Sequence, residues 1–103
     1  MPPDPAAVFA ALGDPTRLAI LAALGEGGRS ITELAAGAPI SRQAVTKHLR
    51  VMEGAGLLVS ERDGRQVRWR GNPAVLGAAQ HYLDRVAARW DGALGRLKSH
   101  VEG

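Results

Sequence analysis

The stretch that decides the fold is Ser41-Arg42-Gln43-Ala44-Val45-Thr46-Lys47-His48-Leu49-Arg50-Val51-Met52-Glu53-Gly54. Val45, Leu49 and Met52 fall at i, i+4 and i+7, one face of an α-helix, and Ser41 is a residue type that caps a helix by accepting a backbone N–H. The opposite face carries Arg42, Gln43, Thr46, Lys47 and Arg50. Such a helix rests its apolar back on its own protein and turns a row of hydrogen-bonding groups outward.

Upstream, Ser30-Ile31-Thr32-Glu33 has the spacing of a capping box and opens a short helix, Glu33 to Ala36, anchored inward by Leu34 and broken by Gly37-Ala38-Pro39. Before it, Asp14-Pro15-Thr16 supplies a cap followed by proline at the first helical position, where a missing N–H costs nothing. Leu18, Leu21 and Leu24 are expected to line that helix's inner face, which ends in the flexible Gly25-Glu26-Gly27-Gly28. Met1 to Pro5 reads as a leader, and Val8, Phe9 and Leu12 share one face of a first helix ending at Gly13.

Downstream, Leu57 to Arg62 and Arg65 to Arg70 flank Asp63-Gly64, whose expected tight turn needs positive φ at both central residues. In the second strand Val67 and Trp69 alternate with Gln66, Arg68 and Arg70, so the apolar pair is expected to face the core and the arginines to form a basic ribbon. After Gly71-Asn72-Pro73, the positions Ala79, Tyr82, Leu83, Val86, Trp90, Ala93, Leu94, Leu97 and Val101 mark one face of a final helix of about seven turns. That stripe is longer than a small globule needs, and pairing with a second copy would cover it.

The 103 residues suit one domain, 1–103. The chain has no cysteine, which excludes disulfides, thiolate metal sites and thiol redox switches. A basic leader followed by an apolar run is absent, as is any stretch approaching a membrane span, so a cytoplasmic location is expected. The net charge of +3 is unevenly placed: residues 41–70 hold seven basic and three acidic side chains, the rest six basic and seven acidic. Concentrated positive charge points to a polyanion partner. The sequence shows no catalytic Ser/His/Asp order, phosphate-cradling glycine loop or paired carboxylates, so no enzyme, catalytic residue or cofactor is expected.

Helices, a tight break, a polar-faced helix and a basic hairpin follow one another in the order of a winged helix-turn-helix. The expected fold is mainly α with a small β-hairpin: about five helices plus a two-stranded wing. The polar-faced helix then fits the major groove of double-stranded DNA, where the Gln43 amide can pair with adenine, and Lys47 or Arg42 can reach guanine or phosphate. Arg62, Arg65 and Arg68 would place the wing along phosphates or in an adjacent minor groove.

Two segments carry a family resemblance. Ala11-Leu12-Gly13-Asp14-Pro15-Thr16-Arg17-Leu18-Ala19-Ile20-Leu21 resembles the opening signature of the ArsR-type (ArsR/SmtB-like) repressors, and Ile40 to Leu58 resembles their turn and recognition helix, with Asp63-Gly64-Arg65 similar to their wing tip. The resemblance implies a homodimer joined through the first and last helices, about 5–13 and 74–101. Val8, Phe9, Leu12, Tyr82, Leu83, Val86, Trp90, Leu94 and Leu97 would lie in that interface, and the dimer would repress transcription from a pseudo-palindromic operator. It also implies that Ser41, Gln43, Thr46 and Lys47 read bases or adjoining phosphates, with His48 as a phosphate or packing contact.

The chain departs from the family's metal sensors. Ser30 and Thr32 stand where the resemblance would place a Cys-x-Cys pair, and Asp84 is followed two residues later by Val86 rather than histidine. His81, Asp84, His100 and Glu102 could form a nitrogen and oxygen site for zinc only across a dimer, and as isolated helix residues they read first as surface groups, so no metal site is expected. Phe9, Tyr82 and Trp90 could line an effector pocket but read first as interface. A metal-responsive repressor, a winged helix turned toward RNA or an acidic protein, and an architectural DNA binder are the competing readings, with any small-molecule or metal effector unassigned.

Overall fold

In the computed structural model, which describes residues 4–102, the chain forms five helices and three strands: α1 Pro5–Leu12, α2 Pro15–Leu24, β1 Arg29–Ser30, α3 Ile31–Ala36, α4 Arg42–Gly54, β2 Leu58–Asp63, β3 Gln66–Gly71 and α5 Pro73–Glu102. Residues 1–3 of the expected leader lie outside the described residues. Pro5 opens α1, with Asp4 accepting the Ala6 N–H as its cap.

The cap chemistry fixes where the helices begin. The Asp14 carboxylate accepts the Arg17 N–H at 3.0 Å, and that bond foremost holds its pKa below the ordinary 3.8. At α3 the capping box is complete: Ser30 Oγ accepts the Glu33 N–H, and Glu33 Oε1 accepts the Ser30 N–H, each at 3.2 Å. Ser41 Oγ accepts the Ala44 N–H and starts α4 at Arg42.

The sheet has three antiparallel strands in the order β1-β3-β2, one more than the expected two-stranded wing. The added strand is only two residues long, Arg29 facing Trp69 and Ser30 facing Arg68, too short to leave a periodic pattern. The hairpin turn also differs from expectation. Asp63 pairs with Gln66, so Gly64 and Arg65 are the central residues, and only Gly64 has positive φ, +63°. That is the sign pattern of a type II′ turn, which asks for glycine at its first central position alone.

One contiguous core joins α1 to the start of α5. Val45, Leu49 and Met52 of α4 are fully enclosed, with Leu57, Leu58, Ile20, Leu24, Leu34, Trp69 and Val75 around them. Three sequence expectations are corrected. Leu18 is exposed and Ile20 is buried in its place, because three-residue steps from Leu24 drift about 60° each around the helix and carry Leu18 off the packed face. Val67 is exposed although Trp69 is buried, because Val67 pairs with Arg62 near the wing tip, beyond the body that covers Trp69. Val8, placed by resemblance in the subunit interface, is 3% exposed and belongs to the chain's own core.

The final helix runs 30 residues, about 45 Å at 1.5 Å per residue. It is seated on the body through Val75, Leu76 and Ala79, with the Phe9 and Tyr82 rings 5.7 Å apart. From residue 87 to 101 every position is exposed, Trp90, Leu94, Leu97 and Val101 included. No single helix among the described residues is long and apolar enough to cross a membrane; α1 and α2 are apolar together but meet at 99° and bury Val8, Ala11, Ile20 and Leu24 in the core.

Candidate functional site

The front of α4 is open. Arg42, Gln43, Lys47 and Arg50 are exposed, and among the described residues their side chains make no hydrogen bond or ion pair. Ser41 is exposed at the helix start, its hydroxyl engaged as cap. Thr46 is half-buried and donates its hydroxyl to the Arg42 carbonyl at 3.0 Å, leaving the oxygen's lone pairs and the methyl for a partner.

Arg62 and Arg65 flank the turn between β2 and β3, both exposed and both without an ion pair among the described residues. The other wing arginines are engaged. Arg70 pairs with Glu61 across the hairpin. Arg68, expected to project toward a ligand, donates to Asp63 Oδ2 and to the Gly28 carbonyl, each at 3.0 Å, and lies 3.7 Å from Glu33 Oε1. These contacts tie it to the residue before β1 and to Glu33 of α3, so it braces the wing where the expectation had it on phosphate. Salt dependence separates the two kinds of arginine. Arg65→Ala is expected to make the slope of log affinity against log salt shallower by about 0.9 for each subunit bound, one phosphate contact per copy. An unchanged slope would take the wing tip out of the interface.

Of the two parts expected for His48, phosphate or packing contact, the structure shows packing. The imidazole Nδ1 lies 3.3 Å from Arg17 Nη1 and 3.9 Å from Asp14 Oδ2, so the ring packs against the start of α2 instead of standing on the front of α4. What sequence reasoning missed is that Asp14, expected as a cap, and Arg17 meet α4 at His48, the Arg17 contact spanning 31 positions. Among the described residues no group of three or more histidines or carboxylates stands close enough to hold a metal ion, and the side chain of Glu102 lies outside them. A cavity of about 460 Å³ between α2 and α3 is walled mainly by Ile20, Ala19, Ala23, Leu34 and Pro39, and Arg29 at its edge is paired with Glu26.

A groove-sized helix with free amide and cationic groups, flanked by a hairpin tipped with two free arginines, defines a winged helix-turn-helix DNA-binding protein. A family model described as a helix-turn-helix domain matches residues 12–61. The HTH-type transcriptional regulator Rv2034 of Mycobacterium tuberculosis is 36% identical over 86 residues, covering 84% of this chain and 80% of that protein. An ArsR-like transcriptional regulator from Rhodococcus sp. RHA1 superposes with a TM-score of 0.80 at 42% identity, over 92% of this chain and 90% of that one. The homodimeric winged helix-turn-helix DNA-binding domain of Mb0332 from Mycobacterium bovis gives 0.66 at 27% identity, over 82% and 77%. The chain belongs to the ArsR/SmtB family of winged-helix transcriptional regulators.

Proposed function

We propose that this regulator is a single-domain cytoplasmic protein that acts as a homodimeric repressor, binding a pseudo-palindromic operator and excluding the polymerase by occupancy. One observation carries the reading: the unpaired edge Arg42, Gln43, Lys47 and Arg50 stands beside the unpaired wing arginines Arg62 and Arg65. These groups could be solvated by water alone, but then nothing would favour their concentration on one helix edge and one hairpin tip.

Gln43 pairs with an adenine edge, Lys47 and Arg42 contact guanine or phosphate, and Arg50, Arg62 and Arg65 hold the backbone. Ser41 and Thr46 supply shorter contacts beside them. Dimerisation follows from the exposed stripe on α5, whose apolar area would otherwise stay in water, and the similarity to a homodimeric M. bovis domain supports it. Two copies would set their α4 helices about 34 Å apart, one turn of DNA.

Gln43→Ala tests the reading role. Affinity for promoter DNA upstream of the protein's own gene is expected to fall by about 1–3 kcal/mol, roughly 5- to 150-fold, with random-sequence duplex unaffected. Equal loss on both duplexes would refute it.

A further inference from the structure

Arg17 has a part that the DNA-reading surface does not explain. Its guanidinium donates Nε–H to the Ala11 carbonyl and Nη2–H to the Ala10 carbonyl, at 3.5 Å, closing the C-terminal end of α1. Its Nη1 faces His48 Nδ1 at 3.3 Å, and its backbone N–H is held by Asp14 Oδ2 at 3.0 Å. One planar group therefore joins the end of α1 to the middle of α4, on a residue whose backbone N–H the Asp14 cap of α2 holds. Guanidinium carries donors and no acceptor, so the Nη1 contact is a hydrogen bond only when His48 Nδ1 offers a lone pair and the ring proton sits on Nε2. Lysine could supply one of these bonds but not the three-way fork.

The place of this fork in the molecule gives it a consequence. The α1 carbonyls it closes follow directly on Phe9, whose ring meets that of Tyr82, on the exposed α5 stripe, at 5.7 Å and a 46° tilt. His48 stands on the same helix as Gln43 and Lys47, one residue after Lys47. We infer that Arg17, acting through the Nδ1 of His48, is a positioning residue: it fixes the angle of the DNA-reading helix α4 against α1 and touches no DNA itself. This inference rests on α4 being the DNA-reading helix. A misplacement of α4 by a fraction of an ångström disturbs base contacts, whose geometry is strict, more than phosphate contacts, whose geometry is loose.

The test compares Arg17→Lys, His48→Asn and His48→Leu with wild type in gel-shift titrations on promoter DNA upstream of the gene and on random duplex of equal length. Asparagine places an acceptor oxygen near the position of Nδ1, and leucine none. Arg17→Lys and His48→Leu are expected to lose about tenfold on promoter DNA, equivalent to 1.4 kcal/mol, and to stay within about twofold on random duplex. His48→Asn is expected to retain promoter affinity within about twofold, a rescue that simple loss of packing would not show. Long-range proton–nitrogen NMR spectra of wild type should show His48 Nδ1 bare and Nε2 protonated. Promoter affinity unchanged in Arg17→Lys, His48→Asn as weak as His48→Leu, or a protonated Nδ1 would each overturn the assignment. Should Arg17→Lys fail to fold, the His48 pair and the tautomer decide it. Wild type that ignored duplex DNA at low salt would instead sink the DNA reading on which the inference stands.

Discussion

Leu49→Ala is expected to lower the stability of the fold by about 2–5 kcal/mol, read as a fall in the urea midpoint with an unchanged slope. Leu49 is fully enclosed, and with Val45 and Met52 it forms the apolar back of α4 on which α1, α2 and α3 converge. Truncation forfeits the transfer free energy of the lost carbons and leaves a void that helices pinned by side-chain caps at Asp14, Ser30 and Ser41 cannot easily collapse into. Against a typical total of about 5–15 kcal/mol, a loss of that size leaves the variant marginal at growth temperature. A change below about 1 kcal/mol would mean that the α4 back is not the centre of the core.

Trp90→Asp together with Leu94→Asp is expected to abolish self-association without unfolding the body. The two side chains are 65% and 56% exposed, beyond the part of α5 that packs on its own chain, so a single subunit has little to lose by their replacement. In a dimer they would be buried, and a carboxylate forced into an apolar seam carries a desolvation cost of several kcal/mol. The dimer dissociation constant should rise at least about 100-fold, a change of roughly 2.7 kcal/mol. Promoter affinity should drop by about 10²–10⁴ as the second half-site ceases to be held near the first. Sedimentation and gel shift on the same samples check both. Wild type and variant sedimenting alike would remove the α5 stripe from the proposed interface.

The two variants probe parts of the molecule that differ in how openly the sequence displays them. The back of α4 was legible because Val45, Leu49 and Met52 repeat with the period of a helix and Ser41 marks its start, both properties of neighbouring residues. The capping box at Ser30 and Glu33, and the shared outward edge of Arg42, Gln43, Lys47 and Arg50, were legible for the same reason. The apolar stripe of α5 could be read as a pattern, but a pattern does not say which member meets its own chain. The Tyr82 ring meets that of Phe9 while Trp90 faces water.

The sequence by itself determined the order of the helices and the hairpin, the limits of α4 and its outward edge, because helix period, caps and turn residues act over three or four positions. Tertiary structure alone decided that β1 joins the sheet, that Val8 is core, that Arg68 braces the wing while Arg62 and Arg65 stay free, and that His48 answers to Arg17. Arg68 reaches a carbonyl 40 positions away and His48 a guanidinium 31 positions away. A charged side chain is a ligand contact or a structural tie according to what the folded chain brings within about 3 Å of it, and local sequence holds no record of that distance.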